Sequence, residues 1–261
     1  MSRSQRRVVI TGLGVVCPIG NDPSSYWSSL AEGRGGVDRI RLFPVSGVKT
    51  EAAGEVKDFD AKRFAAPKYR KALTKSLKYM ARDIQLAVAA ALAAVSDAGL
   101  VDAGVDPTRI GLDLGAGLIS TELDELAPAI NHAIAFGQGR FDFGDYGREG
   151  IPMIPPIWLL KYLPNMLACH ISILVDCQGP SNSITEADAA SCLAIGEAYR
   201  IIERGRADIM ITGGADSKIH PLSYVRMRLM GLASSWEGDL GASCRPFDQH
   251  RDGTVPGEGA G

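Results

Sequence analysis

The chain has 261 residues, 46% of them hydrophobic, and a net charge of −2 at neutral pH, which is ample apolar material for a core. So balanced a charge gives no electrostatic case for binding nucleic acid or a membrane surface. No run approaches 18 consecutive apolar residues and Met1–Arg7 is polar, so no membrane segment or leader is expected and a cytoplasmic location is.

Taken in chain order, the first predicted element is a strand at Arg7–Thr11, whose Val8-Val9-Ile10 core is short and continuously apolar, as in strands covered on both faces. Met80–Ala98 is Ala-rich and followed by Gly99, which predicts a helix with a glycine stop. A strand is expected at Arg109–Leu114 and a helix at Asp124–Phe136. The Gly-, Phe-, Asp- and Pro-rich stretch Gly137–Pro156 reads as a long irregular excursion. A helix at Pro156–Ala168 and a strand at Ile171–Val175 follow. Next come a strand at Ser181–Thr185, a helix at Ala189–Arg204 ended by Gly205, and a strand at Ile209–Thr212. The alternation predicts an α/β layered fold, with no internal repeat.

Two motifs point away from cofactors. Gly12-Leu13-Gly14 follows a strand, but a dinucleotide fingerprint needs glycine at position 17, where Cys17-Pro18 stands. The five cysteines (Cys17, Cys169, Cys177, Cys192, Cys244) are odd in number and scattered, with no CxxC pair. They read as reduced thiols, and no metal or cofactor is expected.

The most informative stretch is Gly179–Tyr199, followed by RADIMITGGAD at Arg206–Asp216. A strand that turns abruptly into a buried helix presents unpaired backbone N–H groups and the positive end of the helix dipole, which suits a nucleophile. With Gly179-Pro180 and Gly196-Glu197-Ala198 as anchors, this stretch resembles the active-site segment of the β-ketoacyl-acyl carrier protein synthases. So do RVVITGLGVVCPIG (Arg7–Gly20), a first helix at Tyr26–Gly36, RIGLDLGAG (Arg109–Gly117), PNMLACHISI (Pro164–Ile173) and RPFDQHRDGTVPGEGAG (Arg245–Gly261). The match spans nearly the whole chain, with departures at Thr254 and Pro256.

The resemblance implies a thiolase-like α/β layered fold, a mixed sheet flanked by helices, with residues 1–261 as one incomplete N-terminal β-ketoacyl synthase domain. It also implies that two active-site histidines, a lysine and a Gly-rich loop belong to a second half-domain lacking here, since His132, His170, His220 and His250 match none of the family positions. Where the family carries its nucleophilic cysteine, this chain has Asp188, within Glu186-Ala187-Asp188.

Three readings of Asp188 stand. It can cap the helix, with Thr185-x-x-Asp188 as a loose capping box. It can mimic the charge of a thiolate without forming a bond. A catalytic role requires a reactive mixed anhydride, which makes it a poor nucleophile. Cys192, one turn deeper, would replace it only if the helix began later than the anchors indicate.

By the same resemblance, Lys75 and Lys78 within the basic segment Lys68–Lys78 would help hold the acidic acyl carrier protein; the plain alternative is a solvated charged face. Ser181–Thr185 would pair across a two-fold axis in a dimer, or else be an ordinary internal strand. Arg245, Phe247, Asp248, Arg251 and Asp252 are expected to form a structural turn. The implied function is membership of the 3-oxoacyl-acyl carrier protein synthase family, with condensation silenced by Asp188. The alternatives are a non-catalytic partner like the chain-length factors, in a homodimer or a heterodimer with an active synthase, or a malonyl-carrier decarboxylase.

Overall fold

A computed structural model describes residues 6–45 and 51–261; the first five residues of the polar start lie outside it. Its centre is a four-stranded sheet of β3 (Ile110–Ala116), β4 (Ser181–Ile184), β5 (Ile209–Ser217) and β6 (Glu258–Ala260), in the order β4-β3-β5-β6. β3 runs parallel to both β4 and β5, and β6 is antiparallel to β5. A two-stranded ribbon, β1 (Val37–Arg39) with β2 (Ala52–Gly54), lies apart from it.

Helices α1 (Pro23–Ala31), α2 (Pro67–Ser76) and α3 (Arg82–Asp97) precede β3, and α4 (Leu123–Phe136) follows it. Beyond α4 come a single turn, α5 (Phe143–Asp145), then α6 (Met166–Val175), α7 (Ala190–Glu203) and α8 (Pro221–Leu229). The period-2 alternation of strand side chains decides what covers each face of the sheet. Leu112, Leu114 and Ile211 join one core cluster with Ile84, Val88 and Leu92 of α3. The alternate positions Gly115 and Gly214 lie against Ser191 of α7. All seven residues of β3 are buried, as expected for a strand covered on both sides.

The Ala-rich helix is present as α3, and Gly99 behind it adopts φ +68°. Gly205 plays the same part behind α7 at φ +72°. Three expectations need correction. The segment Arg7–Thr11 forms no strand. Val16 pairs with Ala260, but β6 ends there, so the residues before Val16 have no strand beside them. Ile171–Val175 is helical, not extended, as the second half of α6. Its buried residues Leu167, Ala168, Ile171 and Leu174 recur at three- and four-residue spacing, so helical packing overrides a locally strand-like apolar run. The helix expected at Pro156–Ala168 is reduced to a 3-10 turn at Trp158–Lys161 and the start of α6. The excursion before it holds only short helical turns between Phe143 and Met153.

Sheet and helices are joined at one buried acid. Glu258, its side chain fully buried, accepts from Arg82 Nη2 at 2.7 Å and Nε at 3.0 Å, from the Val56 N–H at 2.9 Å and from Ser217 Oγ at 2.9 Å. Removing the charge leaves the Arg82 guanidinium largely buried without its counter-ion. Glu258→Gln should therefore lower the unfolding free energy by about 3 kcal/mol, measured by urea denaturation; a loss near zero would show that the pair does not hold the fold.

A second buried acid works the other way. Asp113, at the centre of β3, is fully buried with neither oxygen hydrogen-bonded, and Thr212 Oγ1 in the adjacent register position is also unpaired. Burial, reinforced by the charge of Glu197, pushes the Asp113 carboxyl from 3.8 up to about 6. A raised acid contributes stability below its unfolded value that is lost as pH rises through the folded one. Thermal melts of wild type and Asp113→Asn should thus diverge between pH 4 and 7, with the variant gaining as pH rises; parallel profiles would refute the assignment.

Candidate active site

β4 ends at Ile184, and three residues later the backbone turns through Ala187 at φ +46°. That left-handed conformation is uncommon for a residue with a side chain and marks a strained elbow. A 3-10 turn, Ala187–Ala189, carries Asp188 and leads directly into α7. Asp188 is exposed, and Ala189 is the N-cap of α7, with no side-chain capping bond.

The capping reading of Asp188 is therefore corrected. The intervening 3-10 turn sets the carboxylate ahead of the helix, and no capping box forms with Thr185. The charge stands one residue before the N-cap Ala189, near the end of α7 whose unpaired N–H groups and dipole favour an anion.

Asp188 opens onto a cavity of about 290 Å3, shared with Gly117, Ser191, Asp216, Gly259 and Gly261. Close backbone approach requires glycine beneath it. A Cβ on Gly115 would stand 2.3 Å from the Ser191 nitrogen, so only a bare backbone lets α7 start directly on the sheet. Asp216, at the end of β5, pairs with Lys218 at 2.5 Å while its Oδ1 is buried without a partner. Asp216 and Ser191 were legible only as neighbours, in the TGGAD run and the helix start, and their meeting depends on strand register. The cavity lies at the carboxyl ends of the parallel strands β3, β4 and β5, where α/β sheets place their ligands.

The remaining sequence candidates lie elsewhere. Cys192 is exposed and does not line the cavity. Among the described residues no imidazole lines it either. His132 pairs with Asp145 at 2.8 Å, and His220 caps α8 by accepting from the Leu222 N–H. His250 contacts Gln249, while His170 is buried on α6, where desolvation lowers its pKa. Lys75 is exposed on α2, and Lys78 is exposed in the next 3-10 turn with its Nζ 4.7 Å over the Tyr79 ring. Neither makes an ion pair among the described residues, and with Lys71 they follow helical spacing (i, i+4, i+7) on one exposed stripe. The Arg245–Asp252 segment is a turn as expected: Asp252 accepts from Ser234 Oγ and the Ser235 N–H, Asp248 accepts from the His250 N–H, and Arg245 stacks on Trp236 at 4.0 Å.

A strained strand-to-helix elbow over a glycine-lined cavity, on a mixed sheet layered by α3 and α7, makes an α/β protein whose candidate site carries a carboxylate at the elbow. The model of the β-ketoacyl synthase N-terminal domain matches residues 5–261, and the chain belongs to that family. It is 35% identical over 257 residues to 3-oxoacyl-[acyl-carrier-protein] synthase 2 of Synechocystis sp., covering 98% of this chain and 56% of that protein. The synthase of the same name from Staphylococcus aureus is 33% identical over 256 residues, with the same two coverages. Among solved structures, the ishigamide ketosynthase/chain length factor superimposes with a TM-score of 0.76 at 27% identity, over 98% of this chain and 58% of that one. The chain thus spans a little over half the length of these relatives.

The elbow predicts its own test. A cysteine in place of Asp188 would sit at the N-terminal end of α7 and have a thiol pKa below the ordinary ~8.5. Iodoacetamide labelling of Asp188→Cys, followed peptide by peptide by mass spectrometry, should be half-maximal near pH 7 and outpace Cys192. A half-maximum above pH 8 would show that the helix end exerts no field there.

Proposed function

We propose that the protein serves acyl-carrier-dependent fatty acid or polyketide assembly as a synthase-family member that does not itself become acylated. The observation that carries this reading is Asp188 at the elbow, with no thiol and no imidazole lining the cavity among the described residues. An acyl group on a carboxylate would be an activated anhydride, open to hydrolysis, so attack by Asp188 on a thioester gives no useful intermediate. The negative charge at the start of α7 instead reproduces a thiolate's electrostatics without its chemistry.

A role beside an active synthase, as the chain-length factors have, fits the same observation and is supported by the likeness to a ketosynthase/chain length factor structure. In this reading the protein is cytoplasmic, and the edge strand β4 meets its counterpart in a homodimer or in an active synthase subunit. Among the described residues no helix is long and apolar enough to cross a membrane. Lys75 and Lys78 present positive charge to the acidic carrier protein.

Incubation with a radiolabelled acyl-carrier thioester tests the reading. The chain should take up no covalent label under conditions that fully label an intact synthase. It should still bind the carrier in fluorescence anisotropy, about 10-fold more weakly when Lys75 and Lys78 are both changed to Glu. Covalent label on the wild type would overturn the proposal, and unchanged binding by the double variant would remove the lysines from it.

A further inference from the structure

A second and larger cavity, about 380 Å3, lies between the residues after β1, the start of α3, the segment after β3 and the start of α8. Asp188 does not line it. One wall is apolar: Leu42, Phe43, Pro44, Leu123, Ile219 and Pro221. The polar groups converge from three elements: Asp83 from α3, Ser120 and Glu122 from the segment after β3, and His220 from the cap of α8.

Asp83 is 6% exposed, and its Oδ1 accepts from the Ser217 N–H at 2.9 Å. Beyond its own backbone N–H, no further donor reaches the Asp83 carboxyl among the described residues. The neighbouring Arg82 does not neutralise it, because both of its bonding nitrogens are turned to Glu258 and the Val56 carbonyl. Lys218 is held by Asp216. His220 Nε2 is buried and faces Glu122 at 3.7 Å, which holds the Glu122 carboxyl below its ordinary range. Asp124, also on the wall, has no ion pair among the described residues. Among the described residues the carboxyl groups lining the cavity, Asp83, Glu122 and Asp124, outnumber its one permanently charged cation, Arg82. An acid more than nine-tenths buried thus lines a space of the size that small-molecule sites have.

We propose that this cavity binds a small organic ammonium ion, its charged head on Asp83 and its hydrocarbon part against Phe43, Leu123 and Ile219. The charge state of Asp83 agrees. Burial and the nearby Asp216 push its carboxyl up to about 7, so the empty site carries the proton part of the time, and an entering cation displaces it.

The experiment is calorimetric titration of the chain with n-butylammonium chloride at pH 7, in two buffers of different ionisation enthalpy. 1-Butanol and sodium butyrate serve as isosteric controls. Butylammonium should bind saturably and release about half a proton, with both controls at least 10-fold weaker. Asp83→Asn, which keeps the acceptor for Ser217, should weaken binding at least 10-fold and abolish the proton release. Glu122→Gln should weaken it a few-fold with proton release intact, and remains informative should the Asp83 variant fail to fold. Butyrate binding as well as butylammonium, or Asp83→Asn leaving affinity unchanged, would overturn the proposal. So would loss of binding in Asp188→Asn alone, which would put the ligand in the other cavity.

Discussion

The architecture depends on one buried ion pair. Glu258 belongs to a strand of only three residues, too short to be held by its own ladder, yet it pins β6 to α3 through Arg82, to β5 through Ser217 and to the segment after β2 through Val56. Removing a carboxylate from water is costly unless its lone pairs are fully used, and here four donors use them. The consequence reaches the candidate site. With β6 fixed, Gly259 and Gly261 become part of the cavity beneath Asp188, and Ala260 exchanges both backbone bonds with Val16 at 2.8 Å, which brings the start of the chain to the sheet.

The elbow keeps a shape that does not depend on the side chain standing at Asp188. Ala187 is held at φ +46° by what surrounds it, since α7 starts directly on Gly115 and Gly214 and leaves the connection from β4 only five residues long. None of those contacts involves the side chain of Asp188, which is exposed. The geometry at Asp188 is therefore a property of glycines and register rather than of its own side chain. Function at this position separates from fold.

What could be read from the sequence follows the same division. Local signals sufficed for α3, α7 and β5: alanine-rich periodicity, a glycine stop at positive φ, and a short apolar run bounded by turns. The junction at Asp188 was legible because its anchors are a spaced motif. The buried partners were not. Glu258 with Arg82, and Asp83 with Ser217, are separated by 176 and 134 residues, and nothing in composition or period announces a charge that will be buried in a pair. MLACHISILV failed for the opposite reason. Its apolar residues suit a strand or a helix equally, and only packing against α3 selects the helix.

The lost first strand is a matter of neighbours rather than propensity. Val8-Val9-Ile10 is strongly strand-forming, yet Val9, Ile10 and Leu13 stand largely exposed. A strand needs a ladder, and the antiparallel register of β6 runs out at the pairs Ala260–Ala215 and Ala260–Val16. Beyond that point β5 continues from Gly213 back to Ile209 with one side unpaired, and the chain from Val16 back to Arg7 faces it across a groove of about 90 Å3 lined by Gly12, Gly14, Thr212 and the alanines of α3. Thr212 Oγ1, on the groove wall, has no partner among the described residues. An open edge of this kind, apolar and flanked by β-branched residues, is a pairing template. The intrinsic preference of Arg7–Thr11 for extended backbone therefore yields no strand, because no ladder partner lies beside it among the described residues.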